Sequence, residues 1–384
     1  MKNPFANLKN HPVQEVRRRF ARRIVRWIFG ACRGPVNAQP LPVIGIHRIL
    51  VSHPSHTLGN TLLLTPLLGE LQRVYPGAEI DVLARSPVAH EIFGGFSNVR
   101  RIYQLPRHAL ATPWRLIRSV RAMRSQHYDL AIDPCVRSQS DRIGVLLAKA
   151  TWKLGYIGAS KSGPLTHGIT GSGNVHHNGK LPVYLLHRAI ESADPKIYPP
   201  LDIGLTAHER ARGAHALASL LATDAMSLPP LIGIFGNATG SKALGNDWWQ
   251  RFARRLSDCS RGYRIVELLP AAGISLLGDR FPTFYTSDIR RLAGVLSQLA
   301  LFISADCGVM HLACAAGART FGLFSVTDPQ EWGPYGEHDA IIEIGMRSPE
   351  QIVDALPPVP LPKVATLNAG NTTLNFSSAA QAAA

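Results

Sequence analysis

Three segments carry residue types able to do chemistry together. The first is Asp306-Cys307-Gly308, with His311 three positions further on, directly after the apolar run Leu301–Ala305. A buried strand that ends in glycine and passes at once into a helix lets the backbone approach a ligand closely. The free N–H groups of the first helical turn can then bind a phosphate. Asp306 stands where a carboxylate can accept sugar hydroxyls. On spacing alone a plainer alternative has equal standing, with Asp306 capping the helix and His311 packing.

The second segment is a small-residue loop holding Gly236, Asn237, Thr239 and Lys242. Small residues let a loop close on a ligand, and lysine supplies a point charge for phosphate. The alternative is a surface loop with a solvated lysine. The third segment is His53-Pro-Ser-His56-Thr-Leu-Gly59-Asn60. Histidine exchanges protons near neutral pH. Asn60 is also well suited to capping a helix.

These segments need elements to hold them. Ile44–Ser52 reads as a strand, Asn60–Val74 as a helix, Glu79–Ala84 and Val99–Tyr103 as strands, and Trp114–Gln126 as a helix. Leu130–Asp133 reads as a strand and Ser138–Ala148 as a helix; Ser160–Lys180 is loop-rich. The pattern restarts after Pro229-Pro230: strand Leu231–Gly236, helix Asp247–Leu256, strand Arg264–Leu269, helix Asp288–Gln298, strand Leu301–Ala305, helix Met310–Ala316, strand Thr320–Phe324. Ser348-Pro349-Glu350-Gln351 is a helix start, with serine at the cap and glutamine three residues on. Strands alternating with helices imply parallel sheets covered on both faces. Two such units imply two lobes, with ligands beyond the carboxyl ends of the strands. The expected divisions are a basic helix and linker over 1–42, one lobe over 43–205, a second over 206–362, and a disordered tail over 363–384.

The 384 residues carry a net charge of +15, which points to an anionic partner. Residues 1–33 contribute a net +8, from nine basic residues and Glu15. Over residues 13–29, Val13, Val16, Phe20, Ile24, Trp27 and Ile28 share one helical face, with Arg18, Arg19, Arg22 and Arg26 opposite; such a helix can lie on an anionic membrane. It can equally pack on the protein with its basic face in solvent. A second basic stretch runs from Arg100 to Lys161. Nucleic acid has only charge in its favour, because no aromatic–basic recognition motif accompanies it. Five widely spaced cysteines form no CxxC pair, so the sequence suggests neither a zinc site nor a disulfide framework. No apolar run has the length to span a bilayer, and no signal-peptide pattern is read at the N-terminus.

The Asp306 segment continues through Phe321-Gly-Leu-Phe-Ser-Val-Thr327-Asp328-Pro329 and Trp332-Gly-Pro-Tyr-Gly336. This resembles the C-terminal signature of glycosyltransferase family 9, the heptosyltransferases of lipopolysaccharide core synthesis. The resemblance runs from about Ile44 to Leu356. It implies an α/β GT-B fold, two doubly wound Rossmann-like lobes facing a central cleft. It implies a nucleotide-diphosphate sugar donor, ADP-heptose-like, on the C-terminal lobe, and a phosphorylated glycolipid acceptor on the N-terminal lobe. Donor contacts fall on Asp306, Cys307, Gly308 and His311, and on Gly236, Asn237, Thr239 and Lys242. Cys307 replaces the family's usual hydroxyl residue. The family's carboxylate for the nucleotide ribose has no counterpart in Leu269–Leu277.

The family's catalytic aspartate follows the glycine of the N-terminal motif, and here that position is Asn60. An amide accepts no proton near neutral pH. Three alternatives follow: His53 or His56 is the base, Asp133 at the end of another strand is the base, or the protein binds without transferring. The leading expectation is an inverting glycosyltransferase at the cytoplasmic face of the inner membrane. The others are a catalytically silent relative and a sugar-nucleotide epimerase of the same shape. No metal or cofactor is expected, because no acidic cluster has ligand spacing.

Overall fold

The computed structural model describes residues 39–106, 112–158, 161, 163–193, 197–260 and 262–357. The helix expected over 13–29 and the tail from 363 lie outside them.

The first unit contains β1 (Arg48–His53), α1 (Leu58–Leu62), α2 (Thr65–Val74), β2 (Glu79–Ala84), α3 (Ala89–Phe93), β3 (Val99–Gln104), α4 (Pro113–Arg124), β4 (His127–Asp133), α5 (Gln139–Leu147), β5 (Lys149–Ile157), β6 (His167–Thr170) and α6 (Leu181–Ala189). The second contains α7 (Ala207–Leu221), β7 (Leu231–Phe235), α8 (Asn246–Cys259), β8 (Arg264–Leu268), β9 (Thr283–Phe284), α9 (Ile289–Leu296), β10 (Leu301–Ala305), α10 (Gly308–Ala316), β11 (Thr320–Phe324), α11 (Pro329–Trp332), β12 (Ala340–Glu343) and α12 (Pro349–Asp354).

Each unit builds a six-stranded parallel sheet. The orders are β3-β2-β1-β4-β5-β6 and β12-β11-β10-β7-β8-β9. Both are the doubly wound order, whose switch points lie between β1 and β4 and between β7 and β10. The middles of the central strands are mostly apolar because helices cover both faces. Ile49, Leu50, Val51, Phe302 and Ile303 are fully buried. The ends of β1 and β10, where the switch-point crevices open, carry His53 and Asp306.

Two expectations are refined. The single helix over Asn60–Val74 is two helices, because Pro66 sits in the first turn of α2 and cannot continue the preceding ladder. The loop-rich stretch over Ser160–Lys180 includes the edge strand β6, too short to stand out from its Gly and His neighbours. The capping box at Ser348 and Gln351 is present. Among the described residues no helix is long and apolar enough to cross a membrane.

Candidate active site

The N-terminal half of the site grows from the end of β1. His53 Nδ1 lies 3.2 Å from Asp141 Oδ2, and its Nε2 lies 3.0 Å from the Asn60 carbonyl oxygen. Both ring nitrogens face acceptor oxygens, and a neutral ring donates to only one of them at a time. Ser138 Oγ donates to Asp141 Oδ1 at 2.6 Å. Burial raises the Asp141 carboxyl; His53, Lys161 and Ser138 outweigh that and hold it below the ordinary carboxylate range. His53 and Asn60 border a cavity of about 100 Å³ whose wall includes Cys135, Leu181 and Trp332, the last from the other lobe.

Two sequence expectations change here. Asp133 ends β4 as expected but is fully buried, gripped by Arg142 Nε at 2.7 Å and Lys161 Nζ at 2.6 Å. Arg142 is itself fully buried, and such a cation must be paired in the interior. Asp133 therefore anchors the sheet and does not border the cavity. Asn60 is not a helix cap either; Thr57 holds that position and Asn60 is the third residue of α1. His56 is exposed on the loop between β1 and α1.

The C-terminal half gathers around Asp306, which is 5% exposed. Lys242 Nζ reaches its Oδ2 at 3.1 Å, and Thr327 Oγ1 donates to the same oxygen at 2.5 Å. Thr327 comes from the Thr-Asp-Pro turn after β11, so the ends of β7, β10 and β11 converge. Cys307 is the N-cap of α10, and Gly308 opens that helix. Burial pushes the Cys307 thiol up, opposed by Ser304 and by the Val309 and Met310 amides. His311 is buried with no hydrogen-bond partner for Nδ1. Burial pushes its pKa down to about 4, so it is neutral at pH 7. Asp306 is thus not a side-chain cap. Gly236 is buried against Trp249, where a Cβ would come within 3.1 Å of the indole; Asn237 and Thr239 are exposed on the same loop.

The halves meet through glycine. A Cβ on Gly59 would lie 2.9 Å from His311 Cδ2, and one on Gly308 would lie 3.0 Å from Leu58 Cβ. Beside them, Asn178 Nδ2 donates to the Glu331 carbonyl at 3.0 Å, and His177 Nε2 meets the Gly333 carbonyl at 2.8 Å. Arg290 binds Glu209 and donates to the carbonyls of Glu91, Ile203 and Gly204 at the lobe junction.

Sequence reasoning missed Asp141, Thr327 as a partner of Asp306, and Glu267. Glu267 accepts from Ser275 Oγ at 2.6 Å and the Leu276 amide at 2.8 Å, and so shapes the loop after β8. It lies inside β8, ahead of the Leu269–Leu277 stretch. Among the described residues no group of His, Cys, Asp or Glu is arranged to hold a metal ion.

Residues 286–354, which span α9 to α12 and include Asp306 through His311, match the model of glycosyltransferase family 9 (heptosyltransferase). The similarity to that family model is confined to this part of the C-terminal lobe. The fold agrees. A family 9 glycosyltransferase from Veillonella parvula is similar at 17% identity and TM-score 0.64, over 79% of this chain and 87% of that one. The E. coli heptosyltransferase WaaC with ADP is similar at 18% identity and TM-score 0.59, over 77% and 93%. E. coli ADP-heptose lps heptosyltransferase II is similar at 17% identity and TM-score 0.57, over 77% and 90%. The GT-B architecture expected from the sequence, two doubly wound α/β lobes, is therefore the fold observed. A search of curated proteins finds no significant match.

Proposed function

We propose that this chain is an inverting glycosyltransferase of heptosyltransferase type, moving a sugar from an ADP-heptose-like donor to a phosphorylated glycolipid of lipopolysaccharide-core kind. The observation that carries the reading is the facing of two half-sites, His53–Asp141 on one lobe and Lys242–Asp306–Thr327 on the other, at the switch points of their sheets. The N-terminal lobe takes the acceptor and the C-terminal lobe the donor. Contact with an anionic membrane through residues 13–29 belongs to the same proposal.

In this reading His53 is the base that Asn60 cannot be. An acceptor hydroxyl that takes the place of the Asn60 carbonyl beside Nε2 gives its proton to the neutral ring as its oxygen attacks the anomeric carbon. Asp141 orients the ring and stabilises the imidazolium that forms. The bond from that carbon to the diphosphate oxygen breaks. The departing charge is taken by Lys242 and by the N–H groups at the start of α10. Asp306 is left to accept sugar hydroxyls, and both its side-chain contacts fall on Oδ2. Gly236, Asn237, Thr239 and Cys307 complete the donor loops.

The test is a thermal-shift panel of nucleotide-diphosphate sugars. A true donor at a hundredfold excess over its Kd stabilises the fold by about 2.7 kcal/mol, a rise of several degrees. A flat response across the panel contradicts the donor site. One observation favours a second reading, a silent relative that binds without transfer: Asn60 borders the cleft where an acid would serve.

A further inference from the structure

We propose that α4 is a membrane-docking helix that seats the N-terminal lobe on an anionic lipid bilayer. A helix covering a sheet normally buries an apolar stripe. In α4, Met123 alone is fully enclosed, while Trp114 is 81% and Ile117 44% exposed. At 3.6 residues per turn, Trp114, Arg118 and Arg121 fall within about 60° of one another, on the side opposite Met123. Ile117 and Arg124 flank them on one side and Arg115 on the other.

The charge on this face is unopposed. No Asp or Glu occurs between Glu91 and Asp129. Among the described residues, Arg115, Arg118, Arg121 and Arg124 have no ion-pair partner. An exposed indole and an isoleucine set among arginines match a bilayer interface: the apolar groups enter the headgroup–acyl boundary while the guanidinium groups meet lipid phosphates. Ile117 offers a nucleic acid neither a stacking face nor a hydrogen bond.

The location suits the role. Ser119 Oγ donates to the carbonyl of Gln104, the last residue of β3, at 2.8 Å. Trp114 lies five residues earlier, so it projects about 7 Å past that point, towards the carboxyl edge of the sheet where the cleft opens. A protein seated by this face holds the carboxyl edge of the sheet, and with it the mouth of the cleft, close to the membrane surface.

The test uses the full chain and vesicles of phosphatidylglycerol and phosphatidylcholine, against pure phosphatidylcholine. The wild type sediments with the anionic vesicles, and hydrogen exchange slows at 113–124. R118E/R121E weakens binding by about thirtyfold, as expected for two interfacial arginines. W114S/I117S weakens it as well. Because all four side chains are exposed, both variants keep the wild-type melting temperature. Residues 1–38 are unchanged in every variant, so any loss belongs to α4. Three results overturn the proposal: vesicle binding unchanged in both variants, exchange at 113–124 insensitive to vesicles, or α4 engaged by an oligonucleotide in preference to the anionic vesicles.

Discussion

His53 Nδ1 lies 3.2 Å from Asp141 Oδ2, a carboxylate 88 positions later in the chain, and the histidine's other nitrogen faces the backbone of the helix that carries Asn60. Under the proposed function, this pair supplies the base that the amide of Asn60 cannot be. If it is the base, His53→Ala lowers the transfer rate by about a hundredfold or more. Asp141→Asn lowers it less, and His53→Ala leaves donor Kd unchanged. The readouts are single-turnover rates and donor binding.

Asn60→Asp separates the two functional readings. With His53 as base, adding a carboxylate beside it changes the rate by only a fewfold. A gain of about a hundredfold means that the natural chain is silent and that Asp restores the missing group. Product formation under identical donor and acceptor concentrations decides the matter.

Lys242→Ala removes the cation beside Asp306. Donor and free nucleotide diphosphate bind about tenfold more weakly, consistent with loss of a charge-assisted contact. Calorimetry with the nucleotide diphosphate reads this directly, and Arg251→Ala, at an exposed pair on α8, serves as the control that leaves affinity alone.

Gly59→Ala and Gly308→Ala test the glycine contact between lobes. Each Cβ enters a packed space, and overpacking costs about 1–3 kcal/mol. Both variants melt several degrees lower, with the larger loss at Gly59, where the His311 ring must move.

Stability falls in mild acid. His311 and His177 are both pushed down to about 4 by burial, so each folded site stays neutral where the unfolded chain takes up a proton. Their contribution is full above the unfolded value near 6.5 and is lost as pH drops from there towards 4, on the order of 2 kcal/mol for each. Denaturant melts at pH 7 and pH 4.5 show the loss, and His177→Gln reduces it.

The fold was legible because both sheets are buried on two faces and punctuated by Gly and Pro, so apolar runs such as Leu301–Ala305 mark strands without ambiguity. The strand-to-helix turn at Asp306–Gly308 was legible for the same reason. Spacing could not reveal His53–Asp141, because the pairing depends on β1 and β4 being neighbours across the switch point. Asp133 misled for a related reason: a strand-end acid points to a site unless buried cations claim it, and Arg142 and Lys161 become its neighbours only in the folded chain. Asn60 read as a cap because local sequence does not say that the helix begins at Leu58.

The most direct measurement is release of nucleotide diphosphate from ADP-heptose by the purified full chain with a lipopolysaccharide-core acceptor, wild type against His53→Ala. The account predicts acceptor-dependent release by the wild type and a loss of about a hundredfold in the variant. No release by the wild type, or equal release by both proteins, contradicts it.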